Sequence, residues 1–307
     1  MKNILVIGSL NMDIVTQVDR IPVAGETVLG DDLRYSCGGK GANQAFAIGK
    51  FEGSAEMLGC VGKDGFGEEI IRNLASVGVK VDAIGRSESL KTGTAIINVE
   101  KSGNNNIVVI PGANKSCDEA YLRANDALFK KCDYILLQME IPEEAVWYAI
   151  NRGKELGRTI ILNPAPAPDS LPADIMPKLD YIIPNESELV KLCGCDDDSM
   201  NEIKRGAQKL INMGVNTVIV TLGDKGGVLV QRDLFELFPP IPVRAVDTTA
   251  AGDCFCAAFV VALANDQTLH EAITFAKISA GLAVTKQGAQ NSIPDRLQIE
   301  EYRISKN

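Results

Sequence analysis

Histidine is almost missing from this chain: His270 is the only one in 307 residues. That removes most schemes built on an imidazole base or ligand unless His270 itself carries one, and it excludes a His/Cys zinc set. A basic excess is also missing. Lys and Arg number 31 against 40 Asp and Glu, a net charge of −9, whereas nucleic acid or an anionic membrane asks for a basic face. Small anionic ligands stay open, because local N–H groups can hold them on an acidic protein. The longest apolar run, Cys254–Ala264, is too short to span a bilayer, so neither a nucleic acid nor a membrane is expected as partner. The opening Met1–Gly8 lacks the long apolar region and small-residue cleavage site of a signal peptide. It reads as a first buried strand, and a cytoplasmic location is the expectation. Cysteine is plentiful, with eight residues, but the pairs Cys193/Cys195 and Cys254/Cys256 are not C-x-x-C and the rest are scattered. Free, mostly buried thiols follow.

What is present points to an α/β enzyme. Hydrophobic content of 46% and charged content of 23% suit a globular chain with a substantial core. Apolar, β-branched runs at 4–7, 55–60, 134–138, 159–162, 181–183 and 217–220 alternate with helical stretches. Strands so uniformly apolar are buried on both faces, which predicts a doubly wound, mostly parallel sheet flanked by helices. Two patches break this pattern. Short alternating pieces at 14–18, 26–29 and 33–35, and again at 92–100 and 106–110 with a turn at Ser102–Asn105, read as antiparallel strands. They suggest a small antiparallel β lid, with an α/β core of 1–13, 38–85 and 112–307 and a lid of 14–37 and 86–111. A lid with a leftover apolar face is also a natural surface for a homodimer.

The polar residues gather just after strands, where α/β sheets bind ligands. Asn11 and Asp13 follow the first strand, where they either grip hydroxyls or simply make a turn. Gly38-Gly39-Lys40-Gly41-Ala42-Asn43 places an ammonium and an amide at a helix start, yet it is neither a Walker A loop nor a dinucleotide fingerprint. The missing fingerprint disfavours a nicotinamide oxidoreductase. Glu140 closes another strand. Asn185 and Glu188, three apart, form either a capping box or a pair holding Mg²⁺ indirectly. Thr221-Leu222-Gly223-Asp224-Lys225-Gly226 is either a nucleotide loop or a hairpin turn.

The organising stretch is Val246-Asp247-Thr248-Thr249-Ala250-Ala251-Gly252-Asp253, leading into the apolar run that follows it. Small residues at Ala250, Ala251 and Gly252 let another molecule approach the main chain. A helix starting there aims unpaired N–H groups at whatever lies in front. Asp253 either supports the helix start or serves as a base beside an anion cradle, the combination that phosphoryl transfer to a hydroxyl uses.

Taken together and in order, these segments closely resemble the PfkB carbohydrate kinases over nearly the whole chain. The likeness runs through Gly8–Asp13, Gly38–Ala45, Pro111–Asn114, Gln138–Glu140, Leu162–Ala167, Pro184–Glu188, Val246–Asp253 and Gly288–Ser292. The resemblance implies ATP-dependent phosphorylation of a sugar, with the 5-hydroxyl of D-ribose as the leading acceptor. It implies that Asn11, Met12, Asp13, Gly39, Lys40, Gly41, Asn43 and Glu140 form the sugar subsite. Asp253 would be the base and Ala250, Ala251 and Gly252 the anion hole. Asn185 and Glu188 would order Mg²⁺ and phosphates, while Thr221, Leu222, Gly223, Asp224, Lys225, Gly226 and Lys277 would line the ATP. A K⁺ ion would sit among Asp247, Thr249, Ala283, Lys286, Gly288 and Ser292, largely on main-chain oxygens. Lys277 departs from the His that these kinases often carry at the adenine edge. The alternatives are another kinase of this family, acting on deoxyribose, a hexose, a keto-deoxy sugar acid or a nucleoside, or a non-catalytic sugar-binding regulator.

Overall fold

The computed structural model describes residues 1–102 and 104–305, so Gly103 of the expected Ser102–Asn105 turn lies outside the described residues. The strands are β1 (Asn3–Ile7), β2 (Asn11–Val18), β3 (Gly30–Gly38), β4 (Ser54–Gly62), β5 (Ile84–Ser87), β6 (Gly93–Glu100), β7 (Asn105–Ile110), β8 (Tyr134–Leu137), β9 (Thr159–Leu162), β10 (Tyr181–Ile182), β11 (Thr217–Thr221), β12 (Gly227–Gln231) and β13 (Leu234–Phe238). The helices are α1 (Lys40–Lys50), α2 (Gly65–Ser76), α3 (Glu119–Ala124), α4 (Asp126–Lys131), α5 (Glu143–Glu155), α6 (Glu186–Cys193), α7 (Met200–Asn212), α8 (Ala251–Ala264), α9 (Leu269–Ala283) and α10 (Arg296–Ser305).

Nine strands form one sheet in the order β13-β12-β11-β10-β9-β8-β1-β4-β5. Every ladder from β11 to β5 is parallel, and only the β11–β12 and β12–β13 ladders run antiparallel. The alternation of side chains along β1 assigns its two faces. Ile4 and Val6 join a buried cluster with Phe46 of α1, Phe259 of α8 and Phe275 of α9. Leu5 and Ile7 join the opposite one with Phe129 of α4, Val146 of α5 and Leu210 of α7. Helices cover both faces, which is why these strands are apolar at nearly every position. Helix α8 is apolar all round and buried from Asp253 to Ala264. It lies within the layers, so truncating a residue such as the fully buried Phe259 costs about 3–5 kcal/mol.

The expected small sheet forms from β3-β2-β6-β7. Its outer ladders are antiparallel, but the central β2–β6 ladder is parallel. The reason lies in the large sheet. Strands β1 and β5 run in the same direction there, and each hands the chain on to a strand of the small sheet that continues away from the same edge. One expected strand does not form. Residues 26–29 are irregular, because Gly25 turns the chain at φ 83° and the Glu26 carboxylate accepts from Arg20 and from the N–H of Val23. All eight cysteines are free and six are buried. Among the described residues no helix is long and apolar enough to cross a membrane.

Candidate active site

The carboxyl ends of β1, β8, β9, β10 and β11 share one edge of the sheet, and α8 starts there. Strand order reverses around β1, whose neighbours are β8 and β4, a switch point of the kind that opens a crevice. Helix α1 begins tight against this crevice. Gly39 has φ 85°, and a Cβ on Gly41 would lie 2.6 Å from the Gly8 carbonyl carbon. No side chain fits at either place. Glu140 ties the start of α1 to the end of β1: its Oε2 accepts from the Lys40 N–H at 3.0 Å and from the Ser9 hydroxyl at 2.5 Å. Asn114 braces Asn11, donating from Nδ2 to Asn11 Oδ1 at 2.7 Å while its own Oδ1 accepts from Leu10 N–H at 2.8 Å. Asp13 is buried, and that burial, with the charges of Glu140 and Asp253 nearby, pushes its carboxyl up to about 7.

The turn before α8 places Ala250 in the left-handed region, φ 59° and ψ 10°, and no side chain caps the helix. The Ala251 N–H is drawn back onto the Thr248 carbonyl at 3.2 Å. A Cβ on Gly252 would meet nothing within 4 Å, so this residue fronts open space. Asp253 does not cap its own helix. Its Oδ2 accepts from Asn43 Nδ2 at 2.9 Å and its Oδ1 from Gln44 Nε2 at 3.0 Å, both donors on α1. Burial raises its carboxyl, although Lys40, Asn43 and Gln44 oppose the shift. Burial would lower the Lys40 ammonium, but Asp253, Glu140 and Glu188 outweigh it and hold the group charged. Lys40, Asn185, Glu188, Thr221, Gly252 and Asp253 all line one cleft of about 170 Å³.

Asn185 and Glu188 make a full capping box for α6, each accepting a main-chain N–H of the other at 2.8 Å. Burial raises the Glu188 carboxyl. Residues 223–225 form a short turn joining antiparallel β11 and β12, with Gly226 at φ 90°. Asp247 bridges two segments: its Oδ1 accepts from the Thr249 N–H and hydroxyl at 2.9 and 2.6 Å, and its Oδ2 accepts from the Gly288 N–H at 2.9 Å. Hydrogen bonds from Thr249 and Gly288 overcome burial and hold its carboxyl below the usual range. An uncapped helix start, a buried carboxylate beside an ammonium, and polar strand ends together can hold a phosphate-bearing ligand beside a hydroxyl compound.

A profile of the pfkB family carbohydrate kinases matches residues 1–296. This chain belongs to that family. It is 40% identical over 301 residues to a ribokinase of Bacillus subtilis, with 98% of this chain and 99% of the relative covered. It is 38% identical to a deoxyribokinase of Salmonella typhi, with 98% of each covered. The structure of Arabidopsis thaliana ribokinase complexed with ribose and ATP superposes with a TM-score of 0.91 at 32% identity, covering 98% of both chains.

Within this pfkB fold the residues singled out above, apart from the cation set between Asp247 and Ser292, fall into three groups. Asn11, Asp13, Gly39, Lys40, Gly41, Asn43, Glu140 and Ala250–Asp253 converge around the crevice. The hairpin reading of 221–226 and the capping-box reading of 185–188 are both realised, while Asn185, Glu188 and Thr221 also face the cleft. Two side chains are placed elsewhere: Met12 and Leu222 are buried in the apolar clusters, leaving only their main chains toward the edge. Lys277 stands beside the hairpin, donating to the Pro239 carbonyl at 3.4 Å, and a Cβ on Gly226 would lie 2.8 Å from that carbonyl carbon. Ser9, Gln44, Asn114, Gln138, Asn163 and Gln290 were not singled out. Two of them carried a signal, a polar residue closing an apolar run: Gln138 closes 134–137 and Asn163 closes 159–162.

Proposed function

We propose that this pfkB kinase transfers the γ-phosphoryl group of ATP to the 5-hydroxyl of D-ribose, giving ribose 5-phosphate and ADP. The observation that carries the reading is the Asp253 carboxylate, buried at an uncapped helix start in one cleft with Lys40 and near enough to Asp13 for its charge to be felt there. Asn11, Asp13, Lys40, Asn43 and Glu140 orient the sugar through hydrogen bonds to its hydroxyls, with the main chain of Gly39 and Gly41 close behind. Asp253 takes the proton of the attacking hydroxyl. As the O–P bond forms and the bond to the β-phosphate oxygen breaks, the free N–H groups at the start of α8, that of Gly252 foremost, receive the charge of the transferring group. The turn at 221–226 and Lys277 face the remainder of the nucleotide.

Among the described residues no cluster of three or more acidic, Cys or His side chains forms a metal cage. That suits Mg²⁺ arriving on the nucleotide and held through water, which keeps most of its own coordination sphere. Glu188, with one carboxylate oxygen left over from its cap, and Asn185 are the residues to hold it; when bound, Mg²⁺ neutralises phosphate charge. For K⁺, both oxygens of Asp247 already accept, from the Thr249 N–H and hydroxyl and from the Gly288 N–H. Carbonyls of the two joined segments, 247–249 and 283–292, are therefore the donors for a monovalent cation. The lid comprises 14–37 and 86–111, and its exposed apolar strand β7 is the surface for a homodimer. Deoxyribose is the second acceptor to consider, given the Salmonella relative. An ADP-release screen over ribose, deoxyribose, fructose and adenosine tests the reading: ribose gives the highest kcat/KM, and adenosine or fructose in first place would replace it.

A further inference from the structure

Each of the two amides facing Asp253 is held from behind by another amide. Asn43 Oδ1 accepts from Gln290 Nε2 at 3.1 Å, and Gln290 Oε1 in turn accepts from Asn73 of α2. Gln44 Oε1 accepts from Gln138 Nε2 at 2.6 Å, while its NH₂ group also reaches Asn163 Oδ1 at 3.2 Å. Asn163 is itself fixed by donating to the Ile183 carbonyl at 2.9 Å. An amide donates only from nitrogen and accepts only at oxygen. Pinning the two oxygens from behind therefore commits both NH₂ groups to the carboxylate. The arrangement carries a cost that shows which end of Gln138 is used. Its Oε1 is buried without a partner, and such atoms are rare and expensive. Gly8 makes the room for it, since a Cβ there would lie 1.9 Å from that oxygen.

We propose that Gln138 and Gln290 are positioning residues, which lock the Gln44 and Asn43 amides with their NH₂ groups toward Asp253 and so keep that carboxylate ionised and fixed in its buried cleft. The use made of Asp253 rests on the kinase reading above; the locking does not. The charged and titratable groups around Asp253 are Lys40 of α1, Asp13 of β2, Glu140 beyond β8, Glu188 of α6, and Cys254 and Cys256 of α8. Lys40 is the one cation in this set among three carboxylates, and it is the Asn43 and Gln44 amides whose hydrogen bonds reach both Asp253 oxygens.

The test compares Gln290→Leu, Gln290→Glu, Gln138→Leu and Asn73→Ala. Withdrawing a lock makes Asp253 more basic, so the acid limb of the kcat–pH profile moves to higher pH by about one unit in Gln290→Leu and Gln138→Leu. Asn73→Ala, at the outer end, moves it less in the same direction. Gln290→Glu is the discriminating variant. A carboxylate cannot donate, so Asn43 turns its NH₂ outward and presents oxygen to Asp253, and kcat falls further than with Leu. A merely space-filling role predicts the reverse, because Glu matches Gln in shape. An isotope-edited NMR titration of the Asp253 carboxyl carbon in the unliganded protein reads the same shift without any substrate. If wild type phosphorylates no sugar while this titration still shifts, the kinase reading falls and the lock stands. If Asp253 titrates unchanged in the folded Gln290 variants, the lock is overturned; should Gln138→Leu not fold, the Gln290 pair and Asn73→Ala decide alone.

Discussion

The Asp13 carboxylate occupies the space that a side chain at Gly38 would fill: a Cβ on Gly38 would lie 2.1 Å from Asp13 Oδ2. The two residues are diagonal neighbours across the β2–β3 ladder, where Asp13 pairs with Ser36 and Asn11 with Gly38. Gly38→Ala must move the carboxylate off its position. The expected outcome is a rise in KM for ribose of about tenfold, the lower end of an overpacking cost of ~1–3 kcal/mol. Because Asp253 is untouched, kcat stays within about twofold of wild type on the same reasoning. Steady-state kinetics check this, and an unchanged KM would show that Asp13 does not contact the sugar.

Asp13 also sets a pH dependence of stability. Its folded-state value of about 7 lies above the ordinary 3.8, so across that window the native chain holds more protons than the unfolded one. Stability from this group is therefore greatest at low pH and falls as pH rises toward 7. Asp13→Asn, which removes a poorly compensated buried charge, should raise the Tm at pH ~8 and give little gain at pH ~5. Sugar binding weakens in the same variant. Equal Tm gains at both pH values would argue against a buried ionised carboxylate.

Asp253→Asn should lower kcat by at least ~10²-fold, the scale of a positioned base, while ribose affinity measured by calorimetry stays near wild type. Asn keeps the shape but turns an acceptor into a donor facing Asn43 or Gln44. Turnover at the wild-type level would remove Asp253 from the chemistry.

Asp247 joins Thr249 to Gly288 across two segments. We expect wild-type turnover to be faster in K⁺ than in Na⁺ buffers, and Asp247→Ala to lose that difference as the two carbonyl-bearing segments separate. A wild-type enzyme indifferent to the two ions would refute the cation site.

Every residue of β7 is exposed, including the run Ile107-Val108-Val109-Ile110 at the edge of the small sheet. Such an edge invites a partner strand or face. Light scattering should give a dimeric mass for wild type and a monomeric mass for Ile107→Lys combined with Val109→Lys. A monomeric wild type would end the proposal.

The large sheet was legible because strands buried on both faces must be apolar throughout, and that signal survives in residues 4–7, 134–137 and 217–220 without any partner being known. The crevice was legible for a related reason: polar residues such as Asn11 and Glu140 stand out just after those runs. Sheet direction in the smaller layer was not, since whether β6 lies parallel or antiparallel to β2 depends on where the chain leaves the large sheet and not on either strand's residues. Residues 26–29 alternate as a strand does, but side-chain bonding of Glu26 to Arg20 and Val23 competes with a ladder there. The amide chain behind Asp253 was legible only in part: Gln138 and Asn163 close apolar runs, but Gln44 and Gln290 lie far apart in sequence and Gln carries no spacing rule. Asp253 itself was ambiguous between cap and base until α1 was seen supplying its donors.

Strand β2 starts at Asn11, with three residues between it and the end of β1, and runs outward to Val18. The groups that face the crevice therefore stand at the root of the same rod whose far end carries the outer sheet. Were that sheet to tilt, Asn11 and Asp13 would be carried with it about Gly8–Leu10, which ties the placing of the outer sheet to the grip at the crevice.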